Sequence, residues 1–140
     1  MILGSDREYV KDLKWFKNLH ARVSLKGCNE DEFHRLTGAQ RSAYELTFEA
    51  LRSLIAEGVS CNACLSVLFS SKETIREAKE KLFAIRPGLL RSLEIETITL
   101  FPKVRERLID HSLIATDQPG MVRSKLTEIN RLINFEEGAF

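Results

Sequence analysis

An α/β fold built on a parallel sheet is what this sequence predicts, and three observations predict it. Segments that alternate apolar and polar residues, or run apolar without a charge, are separated by segments whose apolar residues recur every three or four positions. Each intervening helical segment is on the order of ten residues or longer, the length that a right-handed crossover between parallel strands requires. Breakers stand at the ends of these segments: Gly27, Gly58, Pro87-Gly88 and Pro102.

Taken in order, Ser5 or Asp6 can cap a short helix running through Phe16, with Tyr9, Leu13 and Phe16 as its apolar stripe. Residues 20–26 alternate, Ala21, Val23 and Leu25 on one face and Arg22, Ser24 and Lys26 on the other, which reads as a strand ended by Gly27. Asn29 is an N-cap for the acidic first turn Glu30, Asp31 and Glu32, and Gly38 is the stop of that short helix. Tyr44, Phe48, Leu51, Leu54 and Ile55 form a stripe closed by Glu57-Gly58. Residues 59–69, largely uncharged, fit a strand buried on both faces. Ser71 then caps a helix with the stripe Ile75, Ala78, Leu82 and Ile85, broken by Arg86-Pro87-Gly88. Residues 94–101 read as a third strand stopped by Pro102, followed by a basic helix over about 103–109. A loop over 115–120, a last helix carrying Val122, Leu126, Ile129 and Leu132, and a loose tail over 136–140 complete the chain. With residues 1–4 as the stub of a fourth strand, the sheet is still small for a closed barrel or a doubly wound fold. It reads as incomplete.

Composition narrows the function. The chain has 140 residues with 21 Lys+Arg against 20 Asp+Glu, 44% hydrophobic and 29% charged. One compact unit is expected, and the near-neutral balance supplies no basic field to attract nucleic acid or an anionic membrane, so neither partner is expected. The uncharged stretch 58–71 is too short and too polar for a membrane span of roughly 20 residues. Charge at Asp6 precedes any signal-peptide core, and three cysteines, an odd number, favour reduced thiols. A cytoplasmic location is the expectation.

Ligands of α/β folds meet the carboxyl ends of the strands, which here are Lys26-Gly27-Cys28, Phe69-Ser70-Ser71 and Phe101-Pro102-Lys103. Lys26, on the same face as Ser24 and Arg22, suits a carboxylate or a phosphate, although a solvated loop-edge lysine has the same signature.

The run Arg22-Val-Ser24-Leu-Lys26, continuing through Gly27, Cys28 and the acidic turn to Phe33-His34-Arg-Leu36-Thr37-Gly38, resembles a segment of radical S-adenosylmethionine enzymes of the pyruvate formate-lyase activating type. In that family a strand ending in Asp-Leu-Lys leads through an acidic turn to a His-x-x-Leu-Thr-Gly helix end. The helix over 44–58 and Leu100-Phe101-Pro102, placed where the family has Leu-Leu-Pro, continue the likeness over roughly residues 1–110. The resemblance implies that residues 1–112 are the carboxyl-terminal half of a partial TIM-like (β/α)6 barrel, with 113–140 as loop, helix and tail. It implies that Lys26 contacts the methionyl carboxylate region of S-adenosylmethionine and that Ser24 stands where the family usually has an Asp. Val104 stands where relatives often have a His. The family's Cys-x3-Cys-x2-Cys cluster loop is absent from the sequence, so a [4Fe–4S] cluster is expected only from an amino-terminal half or subunit, and the chain alone is expected to be inactive.

The other reactive side chains read more blandly. Cys61 and Cys64 have the two-residue gap of metal and redox pairs, but inside a strand they point to opposite faces, so core packing is favoured over a thiol-redox role. Cys28 reads as an incidental surface thiol. His20, His34 and His111 share no ligand-like spacing, which favours surface or capping roles, and Lys103, Arg105 and Arg107 read as a solvated basic turn. Two functional expectations follow: half of a radical S-adenosylmethionine barrel, whose open sheet edges are covered by a second copy or a separate amino-terminal subunit, or a non-catalytic α/β partner-binding or structural module whose own carboxyl-terminal helix covers them.

Overall fold

A computed structural model of the chain describes residues 2–96 and 101–113, and these fall into two compact units, the first ending at Glu96 and the second starting at Thr97. The first unit is α/β. Its elements are α1 (Ile2–Ser5), α2 (Arg7–Leu13), β1 (His20–Lys26), α3 (Glu30–Thr37), α4 (Glu45–Ala56), β2 (Ser60–Ser66), α5 (Lys72–Ile85), α6 (Gly88–Arg91) and β3 (Glu94–Glu96). A single 3-10 turn, Arg41–Tyr44, leads into α4. In the second unit the described element is α7 (Pro102–Asp110), a basic helix that takes Pro102 at its first turn, where a missing N–H costs nothing. The last predicted helix, the loop and tail around it, and the strand residues 97–100 lie outside the described residues.

The three strands form one sheet in the order β1-β2-β3, all parallel, with His20 beside Ser60, Lys26 beside Ser66 and Ser66 beside Glu96. The sheet is open, and the helix that joins β1 to β2, α4, lies on one of its faces. That face is the apolar one. Val23, Leu25, Cys61, Ala63 and Leu65 are buried, and α4 packs on β1 and β2 through a stripe in which Phe48, Leu51 and Leu54 are fully buried. The Tyr44 ring lies between that of Phe33, tilted at a centroid distance of 5.9 Å, and that of Phe48, edge-to-face at 5.2 Å, tying α3 to α4.

Several expected boundaries hold. Asp6 caps α2 through its side chain, Asn29 caps α3 by accepting from the Glu32 N–H, and Ser71 and Thr74 form a capping box on α5. Gly38 ends α3 in the left-handed conformation. Others are corrected. Residues 2–4 of the expected fourth-strand stub are helical instead: Ile2–Ser5 is a helical turn on α4, and a Cβ on Gly4 would meet the Leu46 carbonyl oxygen, so only glycine permits that approach. The second strand stops at Ser66, because Val67 turns the chain by accepting from the Ser70 N–H. On α2, which ends at Leu13, the buried residue is Val10 while Tyr9 is exposed, and Phe16 lies beyond the helix and is exposed as well.

Candidate functional site

The second face of the sheet is polar along its whole length. Parallel register brings Arg22 beside Asn62, Ser24 beside Cys64 beside Glu94, and Lys26 beside Ser66 beside Glu96. The cations stand on β1, the carboxylates on β3, and the small neutral residues of β2 lie between. Strands one apart are about 9–10 Å away in a sheet, a gap that long side chains cross. Arg22 Nε donates to Glu94 at 2.6 Å, and Lys26 Nζ donates to both oxygens of Glu96, at 2.6 and 2.8 Å. These two bridges roof β2, which is why Asn62, Cys64 and Ser66 are buried on a face that carries four charges.

The roof extends toward the amino ends of the strands. Asn62 donates to Glu94 at 2.6 Å, and its carbonyl oxygen faces His20 Nε2 at 3.0 Å; His20 Nδ1 lies 2.8 Å from Ser60 Oγ. The imidazole that fits carries its proton on Nε2 and accepts from Ser60. Bonds from Arg22 and Asn62 hold the Glu94 carboxyl below its usual range, and the bond to Glu94 raises Arg22. In the middle of the face the Ser24 hydroxyl is buried with no hydrogen-bond partner among the described residues.

At the carboxyl ends of β1 and β2 a second cluster fixes the loops. Glu32, from the first turn of α3, accepts from the Cys28 N–H at 2.7 Å, from Ser70 Oγ at 2.5 Å and from Thr74 Oγ1 at 3.1 Å. One carboxylate thus joins the loop after β1 to the loop after β2 and the start of α5. Gly27 makes the sharp entry possible: its φ is +94°, and a Cβ there would stand 2.7 Å from that of Glu32. The same turn sends Cys28 inward, correcting the expectation of a surface thiol. It is buried, and burial pushes its pKa up to about 12.

The sequence-predicted pair therefore lies on one face, with Lys26 in an ion pair and Ser24 under cover. Arg22, named only as a neighbour, belongs to the same network. Glu94, Glu96 and Glu32 were missed as site residues. Glu94 and Glu96 flank the apolar Ile95 in the alternation of β3, a signal that they share a face; Glu32 looked like an ordinary dipole-favoured residue of a helix start. His34 accepts its expected capping role, its Nδ1 2.7 Å from the Ala39 carbonyl oxygen.

Two groups implied by the resemblance can be tested against this geometry. The methionyl head of S-adenosylmethionine carries a carboxylate and an ammonium, and Lys26 with Glu96 presents one cation and one carboxylate beside the unpartnered Ser24 hydroxyl, a set that fits such a zwitterion. A [4Fe–4S] cluster does not fit. Cys61 and Cys64 leave β2 on opposite faces, and burial raises all three thiols, so none is a ready thiolate. Among the described residues no group of three His, Cys, Asp or Glu side chains is arranged to hold a metal, and no helix is long and apolar enough to cross a membrane. No family model, no curated protein and no solved structure matches the chain.

Proposed function

We propose that this chain is one wall of a radical S-adenosylmethionine-type barrel, holding the methionyl head of the cofactor on its charged sheet face and depending on an amino-terminal half or subunit outside this sequence for the iron–sulfur cluster. The observation that supports the reading is the pairing of a sequentially wound parallel sheet with a face built of charge. Parallel sheets are ordinarily covered on both faces by apolar contacts. Here one face is packed by helices and the other carries Arg22, Lys26, Glu94 and Glu96, a composition that belongs against water or a polar ligand, as a barrel interior at its mouth does.

In this reading Lys26 meets the cofactor's carboxylate, Glu96 its ammonium, and Ser24 donates to whichever carboxylate oxygen comes within reach. S-adenosylmethionine, when reduced by a cluster, supplies a 5′-deoxyadenosyl radical; this chain's part is to bind and orient. The Glu32 cluster keeps the rim of the site from rearranging as the ligand enters. The buried, protonated thiols accord with a reduced, cytoplasmic setting.

Calorimetric titration of S-adenosylmethionine into the purified chain tests the proposal. Saturable binding weakened about tenfold or more in Lys26→Ala, the loss of one charge-assisted contact, is the expected result. Absence of binding, or equal binding by the variant, overturns it. The specific observation that favours the alternative, a non-catalytic partner-binding module, is that both cations of the face are already neutralised by carboxylates of the same chain.

A further inference from the structure

Both cations of the charged sheet face are already met by carboxylates of the same chain. Lys26 Nζ donates to the two oxygens of Glu96, at 2.6 and 2.8 Å, and Arg22 Nε donates to Glu94 at 2.6 Å. The two pairs run the same way across β2, cation on β1 and carboxylate on β3, so the face is a pair of aligned dipoles rather than a patch of one sign. Two residues before Lys26 on the same face of β1, the Ser24 hydroxyl is buried and has no hydrogen-bond partner among the described residues. A buried hydroxyl without a partner costs stability, and the acceptor of a ligand seated on the face would satisfy it.

We propose that Glu96 sets the ligand specificity of this face: it admits a head group that brings an ammonium together with its carboxylate, an α-amino acid zwitterion, and rejects a carboxylate or phosphate that comes alone. This specificity rests on the cofactor-binding reading of the face. A lone anion reaches Lys26 either by parting it from Glu96 or by lying beside both. The first strands a carboxylate that is only 24% exposed, and the second sets two negative charges side by side. A zwitterion avoids both costs. Its carboxylate takes Lys26 and the Ser24 hydroxyl, its ammonium takes Glu96, and no charge is left over. The direction of the dipoles also fixes its orientation, carboxylate over β1 and ammonium over β3. Such selection is stronger than shape alone provides, because an analogue lacking one charged group forfeits its own contact and leaves its partner on the protein unpaired.

Three probes are titrated into the full chain and followed by its amide chemical shifts: L-methionine; its desamino analogue, which keeps only the carboxylate; and its decarboxylated analogue, which keeps only the ammonium. The unaltered chain is expected to bind L-methionine about tenfold or more tighter than either analogue, the worth of one charge-assisted contact. Glu96→Gln, which keeps the shape and removes the charge, weakens L-methionine and tightens the desamino analogue, so that the preference disappears. Ser24→Ala is the second variant; it weakens the two carboxylate-bearing probes and leaves the amine unchanged. Three results overturn the proposal: equal binding of L-methionine and its desamino analogue by the unaltered chain; a Glu96→Gln variant that weakens all three probes alike or keeps the preference; and no binding of L-methionine. Titration of S-adenosylmethionine into the same samples separates this specificity from the reading beneath it. Discrimination among the probes without binding of S-adenosylmethionine supports the zwitterion site and removes the cofactor; binding of S-adenosylmethionine without discrimination keeps the cofactor and overturns the role of Glu96.

Discussion

The two faces of one sheet differ as if they belonged to different proteins. On the odd-numbered face Val23, Leu25, Cys61, Ala63 and Leu65 are buried under helices, and the contacts are van der Waals. On the even-numbered face Arg22, Lys26, Glu94 and Glu96 are joined by hydrogen-bonded ion pairs that remain partly open to solvent, with side-chain exposures from 24 to 51%. Alternation along a strand lets one backbone serve both. The apolar face supplies the free energy of folding, whereas the charged face, held by exposed pairs that contribute little, is free to be used for binding.

That contrast can be broken most forcefully on the apolar side. Leu65→Ala empties a fully buried position, and a loss of about 2–5 kcal/mol in urea unfolding is expected. Next in size is the cluster that joins the two loops. Glu32→Ala leaves the Cys28 N–H and the Ser70 hydroxyl without their acceptor, a loss of about 1–3 kcal/mol, detectable as a lower midpoint with an unchanged slope. On the charged side Lys26→Ala changes stability by about 1 kcal/mol, because its pair with Glu96 is partly open to solvent. A Lys26→Ala loss equal to that of Leu65→Ala would abolish the distinction between the faces.

Two pH measurements sharpen it. Cys28 has its pKa raised to about 12, so its neutral thiol stabilises the folded state fully below the ordinary thiol range near 9, and that contribution disappears as pH rises toward 12. Alkylation of Cys28 at pH 8 therefore follows the rate of unfolding, and a fast native reaction would contradict its burial. The smallest effect belongs to Glu94. Its lowered pKa means that its contribution is present above the ordinary carboxylate value and is lost as pH falls through the lowered one; Arg22→Ala flattens that acid limb.

Much of the fold was legible because local signals were strong. Period-two alternation set the faces of β1, and the caps at Asp6, Asn29 and Ser71 and the stop at Gly38 are decided by short-range hydrogen bonds and by φ, which neighbouring residues control. The misread elements are those where a distant contact overrides the local pattern. Residues 2–5 form a helical turn because Gly4 lies against the Leu46 backbone, and Cys28 is buried because Gly27 turns it inward. Of the site, Lys26 and Ser24 could be found at a strand's carboxyl end. The carboxylate partners of Lys26 and Arg22 could not, since Glu96 lies 70 residues from Lys26 and Glu94 72 from Arg22, and only sheet register brings them together.

The sequence by itself determined the α/β class, the parallel order implied by its crossovers, and the sidedness of β1, all of which follow from periodicity and chain geometry. Only the tertiary structure decided which charges meet. Ion pairs across β2, the Glu32 junction between two loops and the burial of Cys28 depend on packing between segments far apart in the chain, and no local pattern encodes that distance.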